Sequence, residues 1–174
     1  MSMTQRWTIV AVVLGATLTC TDDDGVSPRF TELFTTPAGL AGAAERPTPV
    51  TTGASGDFVA EVRDTATIGG KRDSLAVLRF ELGVRNINAA TMAHIHAGGP
   101  EAAGPVMVFL FNGPTTGSNF TGILSSAEIT RASAFNAPFN LDSVLTRMRN
   151  GTAYVNVHTS ANPGGEIRGQ IQRN

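Results

Sequence analysis

The chain has 174 residues, of which 41% are hydrophobic and 16% are charged, so it contains enough apolar material for one core. Its formal net charge is −1 and its basic residues are scattered, which favours neither a nucleic-acid surface nor a basic membrane-binding stripe. The 19 glycines and the many Thr, Ser and Val residues favour strands and tight turns over helices.

The N-terminal segment has the pattern of an export signal. It carries one charge, Arg6, and then an apolar stretch from Trp7 to about Thr19. This stretch is too short for a bilayer, which takes about 20 residues, but it fits an h-region of about 7–15 residues. We therefore predict a signal peptide over residues 1–19 and an exported protein.

Cys20 ends the apolar stretch and is the only cysteine, so it cannot form an internal disulfide. "ATLTC" resembles a bacterial lipobox, although Thr17 and Thr19 replace the usual leucine and glycine or alanine. Residues 20–29 are acidic and rich in turn formers, as a solvated tether would be. We predict a lipoprotein of the periplasm or cell surface that is held to a membrane only by lipidated Cys20. The alternative is a plain secretory signal that is cut nearby and leaves a spare thiol.

The rest of the chain predicts short strands separated by turns. "DFVAEVRD" sets Phe58, Ala60 and Val62 against more polar neighbours, and "SLAVLRFELGV" follows a Gly-Gly turn, which predicts a hairpin. Pro47 and Pro49 exclude a central strand from the loop-rich stretch before them. Further strands are predicted in "RFTELF", "TMAHIHA", "PVMVFLF", "FTGIL", "TAYVNVHT" and "GEIRGQIQ". Seven or eight such strands predict an all-β sandwich or barrel.

Two short helices are predicted as insertions. Ser125 and Glu128 have the spacing of a capping box in "SSAEITRA". In "NLDSVLTRMRNG", Asn140 is a candidate N-cap and Gly151 a stop signal, with apolar residues at helical spacing between them. We expect this second helix to be a crossover that packs on the sandwich.

Two segments, "AHIHAGG" and "GTAYVNVHTSANPGGEIRGQI", resemble the CHRD domain, which is named after repeats in chordin and also occurs in bacterial secreted proteins and lipoproteins. The resemblance extends over roughly residues 30–172. It implies an immunoglobulin-like or Greek-key β-sandwich, similar to superoxide dismutase at the level of the sheets, and no defined activity. We therefore expect a non-enzymatic binding or structural module of the cell envelope, with an unidentified protein or small ligand as its partner.

All three histidines fall in these two segments. Residues two apart share a face of a strand, so Met92, His94 and His96 lie on one face, and His158 lies on the corresponding face of its own strand. We expect this to be the outward face. If the two strands are neighbours, His94, His96 and His158 could hold one copper or zinc ion. Dismutase activity is not indicated, because that reaction needs further histidines and an aspartate ligand.

The alternative is that the histidines brace the loops that follow their strands, by bonding loop carbonyls. In the same way, Glu166 and Arg168 fit an ion pair or a hydrogen-bond network with loop backbone better than a catalytic pair. Met92 offers a thioether, which favours Cu(I), but a strand methionine more often packs. The sequence has no GxSxG motif, no cysteine nucleophile and no close carboxylate pair, so we do not predict an enzyme.

Changing Cys20 tests the anchor. When the full chain is expressed with labelled palmitate, we expect label on the wild-type protein and none on Cys20→Ser, because the thiol is the attachment site. Label that persists on the serine variant, or a wild-type protein that stays free of membranes, would rule out the lipoprotein.

Overall fold

The computed structural model describes residues 30–64, 76–114 and 116–174. The predicted signal peptide, Cys20, the tether and the Gly-Gly turn lie outside these residues. Within the described ranges, no helix combines the length and the apolar character needed to cross a membrane.

The regular structure of the described chain consists mostly of antiparallel strands. The strands are β1 (Phe30–Thr35), β2 (Leu40–Ala41), β3 (Ser55–Asp64), β4 (Val77–Ile87), β5 (Ala90–Ala97), β6 (Val106–Asn112), β7 (Phe120–Ile129), β8 (Ala153–Thr159), β9 (Ile167–Gln170) and β10 (Gln172–Arg173). A 3-10 turn, Gly42–Ala44, follows β2, and one helix, α1 (Leu141–Arg149), connects β7 to β8.

The strands form two halves that enclose one core. One half runs β7–β4–β3, with β1 and β2 sharing the free edge of β3 and β10 pairing with β1. The other half runs β9–β8–β5–β6, and Ala41 of β2 pairs with Arg168 of β9 to join the halves. Inward residues of both halves, such as Leu82 and Val155, belong to one buried cluster. The fold is therefore an all-β sandwich, as the sequence predicts.

The alternating pattern of β3 has the predicted orientation. Phe58, Ala60 and Val62 are buried in the core, while Val59 between them is 45% exposed. The pleat of a strand sends successive side chains to opposite faces, so the apolar set alone packs inward.

Helix α1 forms as predicted. The side chain of Asn140 accepts a hydrogen bond from the backbone N–H of Ser143, and Leu141, Val144 and Met148 are buried. Gly151 has φ +64°, a left-handed conformation that favours glycine after a helix end.

The helix predicted in "SSAEITRA" is wrong, because the first five residues of this segment end strand β7 and the other three lie in the turn that follows. Ser125 lies opposite Leu82 of β4, and its hydroxyl donates to the Leu110 carbonyl at 2.6 Å. Glu128 pairs with Arg79 across the strands, at 2.6 Å. The capping-box spacing concerns one helix turn, whereas pairing with β4 satisfies the backbone of the strand residues, so the long-range pairing prevails.

The core can be tested at Leu82, whose side chain is fully buried. We expect Leu82→Ala to lower the free energy of unfolding by about 2–5 kcal/mol, because it leaves a cavity between the two halves. Ile123→Ala is the matched control, since Ile123 is 51% exposed, and we expect a loss below about 1 kcal/mol. Urea denaturation measures the free energy of unfolding of both variants, and equal losses would show that Leu82 is not packed in the core.

Candidate metal centre

The three histidines meet on two neighbouring strands. His94 and His96 lie on β5 and His158 lies on β8, which is paired antiparallel with β5. The register places His158 opposite Met92 and His94 opposite Asn156. One ring nitrogen from each histidine lies within 4.8 Å of those from the other two. The pairing thus brings together the three residues that the sequence suggests as metal ligands.

The histidines lie on the predicted face, but this face is covered rather than open to solvent. His94, His96 and His158 are 4%, 7% and 7% exposed, although they lie on the face opposite the core. Phe109 contacts the ring of His94 edge-on, with 4.4 Å between ring centroids, and Tyr154 stacks on His96 at 4.9 Å. Alternation predicts which face a side chain takes, but it does not show that aromatic neighbours and loops cover that face.

Two of the imidazoles bond loop carbonyls through Nδ1. His96 Nδ1 lies 2.9 Å from the Gly104 carbonyl oxygen, and His158 Nδ1 lies 3.0 Å from the Pro163 carbonyl oxygen. A carbonyl can only accept, so each Nδ1 carries the hydrogen and each Nε2 carries a lone pair. Both histidines therefore contact the loops that follow their strands and still offer Nε2 to a ligand.

His94 makes its contact within the cluster. Its Nδ1 lies 3.0 Å from Nε2 of His158. In the protein without metal, His94 Nδ1–H donates to that lone pair, because the hydrogen of His158 is on Nδ1. The Nε2 atoms of His94 and His96 are buried and have no hydrogen-bond partner in the described protein.

The nitrogen positions suit one metal ion after a small movement. Two nitrogens about 2.1 Å from an ion are about 3.0 Å apart when their bonds meet near 90°, and this matches His94 Nδ1 and His158 Nε2. Two such bonds span at most about 4.2 Å. Since the cluster extends to 4.8 Å, one ring must move inward for all three to bind at once.

Burial keeps the cluster neutral. Loss of solvent, together with the neighbouring His158 and His96, lowers the pKa of His94 to about 3. Burial lowers the pKa of His96 to about 4, against the opposing effect of the Gly104 hydrogen bond, and it also lowers the pKa of His158. At neutral pH each of the three rings is therefore uncharged and keeps one nitrogen lone pair, as metal binding requires.

Glu166 lies among polar groups beside the end of β8. Its carboxylate accepts hydrogen bonds from the Thr52 hydroxyl at 2.7 Å, the Thr159 hydroxyl at 2.6 Å and the Asn162 amide at 3.1 Å. These contacts join the strand end to two loops, and they leave Glu166 outside the group of metal-capable side chains around the histidines.

Arg168 is almost fully buried and bonds the loop between β5 and β6. Its Nη2 donates to the Gly99 carbonyl at 2.7 Å and to the Ala102 carbonyl at 3.0 Å. Its guanidinium carbon lies 3.5 Å from the ring centroid of Tyr154.

Glu45 and Tyr154 are parts of this site that the sequence reasoning missed. Glu45 is 3% exposed, and its Oε2 accepts from the Asn156 side-chain amide at 3.2 Å. Burial raises the pKa of Glu45 to about 7, although the Asn156 hydrogen bond and the nearby Arg168 charge oppose this. No signal in the sequence marks Glu45, but Tyr154 is the only tyrosine and shares a strand face with His158.

Both histidine segments lie inside residues 36–171, which match the family model of the CHRD domain. The chain belongs to the CHRD domain family. No curated protein and no solved structure matches it significantly. Membership of the CHRD family supports a non-catalytic module.

The buried carboxyl of this CHRD protein gives a pH test. The pKa of Glu45 is about 7 in the folded state and about 4.5 in the unfolded chain. Between these two pH values, Glu45 therefore takes up a proton when the chain folds. Stability is therefore lost as the pH rises through this window. We expect the decrease in the free energy of unfolding between pH 4 and pH 8 to be about 1–3 kcal/mol smaller in Glu45→Gln than in the wild-type protein. Urea denaturation of both proteins across this range measures it, and parallel pH profiles would contradict the raised pKa.

Proposed function

We propose that this CHRD protein is a non-catalytic module of the cell envelope that binds one copper or zinc ion through His94, His96 and His158. The observation that carries the proposal is the buried Nε2 of His96, which carries a lone pair and has no hydrogen-bond partner among the described residues. His158 contributes Nε2, because its Nδ1 is bonded to a carbonyl. His94 contributes Nδ1, which lies nearest to that nitrogen, after its hydrogen moves to its own Nε2.

The hydrogen bonds around two of the rings support metal binding. A histidine that binds a metal usually donates its other N–H to a carbonyl or carboxylate, which fixes the ring and its tautomer. His96 and His158 each do this, with the carbonyls of Gly104 and Pro163. The two rings are thus already oriented before an ion arrives.

The ligand chemistry favours copper or zinc over hard cations. The described metal-capable group contains three imidazoles and no carboxylate. Imidazole nitrogen suits zinc and copper, whereas calcium and magnesium prefer oxygen ligands. Three ligands leave a further position on the ion open for water or a small molecule.

A purely structural role for the histidines accounts for fewer of these contacts. Loop bracing explains the Nδ1 hydrogen bonds of His96 and His158. It does not explain why the buried Nε2 of His96 has no partner within the described ranges, since an unsatisfied buried polar atom costs about 1–3 kcal/mol. An ion at the cluster would use that atom.

Export and a lipid anchor at Cys20 complete the proposal. They place the module outside the cytoplasm, with the membrane contacted only through the lipid. There the module could take up a metal ion or pass it to a partner.

The test is a metal titration of protein purified without a histidine tag. We expect one copper or zinc ion per chain in a calorimetric titration at neutral pH. Alanine at His94, His96 or His158 should each weaken binding at least tenfold, because the two remaining ligands cannot replace the lost bond.

The matched control is Val155→Ala, which changes a core residue on the same strand as His158 but none of the three rings. We expect this variant to bind the ion as the wild-type protein does. If the wild-type protein binds no stoichiometric metal, and the histidine variants differ from it only by lower melting temperatures, the histidines are loop braces and the metal proposal is wrong.

A further inference from the structure

The backbone N–H and C=O of Gly104 link His96 to Tyr154. The Gly104 carbonyl accepts from His96 Nδ1 at 2.9 Å, and the Gly104 N–H donates to the Tyr154 hydroxyl at 3.0 Å. A Cβ at position 104 would collide with the backbone of Ala97. Only glycine therefore lets the loop pass close enough for this carbonyl to reach His96.

The Tyr154 hydroxyl acts mainly as the acceptor for that N–H. It also lies 3.4 Å from the Gly104 carbonyl oxygen, which is long for an O–H···O hydrogen bond. The carbonyl thus remains available to His96. Tyr154 therefore holds the N–H of Gly104, and His96 donates to the C=O of the same residue.

Tyr154 is itself fixed between two groups. Its ring is nearly parallel to that of His96, with an interplanar angle of 12°, and the Arg168 guanidinium lies over it. Because β8 runs between β9 and β5, Arg168 and His96 approach Tyr154 from opposite sides. Stacking of arginine on an aromatic face is favourable, most of all where water is excluded.

Arg168 also fixes the loop that contains Gly104. Its bonds to the Gly99 and Ala102 carbonyls hold the earlier part of that loop, while Tyr154 holds Gly104. These two side chains therefore help to fix where the Gly104 carbonyl lies relative to His96, beside the backbone bond from the Ala97 N–H to the Pro105 carbonyl.

We propose that Tyr154 and Arg168 are positioning residues that keep the Gly104 carbonyl on Nδ1 of His96 and so present Nε2 to the cluster. A neutral imidazole carries one hydrogen, and without an acceptor at Nδ1 that hydrogen can move to Nε2, which then cannot bind a metal. The consequence for metal affinity rests on the proposed function, whereas the consequence for the tautomer does not.

The test uses Tyr154→Phe, which removes the hydroxyl and keeps the ring between Arg168 and His96. In metal-free protein, the ring ¹⁵N chemical shifts of His96 should show hydrogen on Nδ1 in the wild type and a raised share of hydrogen on Nε2 in the variant. In the titration with Zn²⁺ or Cu²⁺, the variant should bind about 10–100-fold more weakly, the usual effect of losing a group that orients a ligand.

Val155→Ala is the matched control, because Val155 is the next residue on β8 and packs into the core. It should lower the melting temperature and leave the His96 tautomer unchanged. Arg168→Lys, which loses the planar guanidinium, should shift the tautomer in the same direction as Tyr154→Phe.

A wild-type tautomer in Tyr154→Phe would overturn the proposal, as would a loss of affinity no larger than that of Val155→Ala. A wild-type protein that binds neither ion would refute the proposed function alone, because the ¹⁵N measurement on metal-free protein still decides the role of Tyr154.

Discussion

The antiparallel pairing of β5 with β8 is the constraint on which the histidine cluster depends. Its register sets His94 opposite Asn156 and His96 opposite Tyr154, with His158 two pairs further along, opposite Met92. A slip of one residue would turn every side chain of a strand to the other face. The apolar residues that alternate with this polar face, such as Ile95 and Val155, oppose such a slip, because it would move them out of the core. The same packing that stabilises the sandwich therefore aligns the three rings.

Loops and aromatic side chains cover the face of β5 and β8 that lies away from the core. The histidine site is therefore polar but shielded from water. Every residue of β8 is buried, whereas an antiparallel strand with one solvated face would alternate. The covering loops bring carbonyls from Gly104 and Pro163, and these satisfy one nitrogen on each of two rings. The nitrogens that remain are shielded from water and stay unprotonated at neutral pH. Such nitrogens suit a metal ion better than a proton.

The buried polar layer around the rings contains charged residues with different surroundings. Arg168 bonds loop carbonyls and stacks on Tyr154, and Glu166 accepts from three donors. Glu45 bonds Asn156 through one oxygen, while its other oxygen has no partner in the described protein. This difference explains why burial raises the pKa of Glu45 so far.

The sequence by itself determined the all-β class, the helix at Leu141–Arg149, the CHRD family and the face on which the histidines lie. These features follow from local periodicity, from Asn140 as a cap and from a long motif, all of which are written in neighbouring residues. Only the tertiary structure decided that Ser125–Glu128 belongs to a strand, that the histidine face is covered, and that Glu45, Gly104 and Tyr154 belong to the site. Glu45 and Asn156 are in contact although 111 positions separate them in the chain. Contacts of that kind depend on strand pairing and loop packing, which a pattern of nearby residues does not specify.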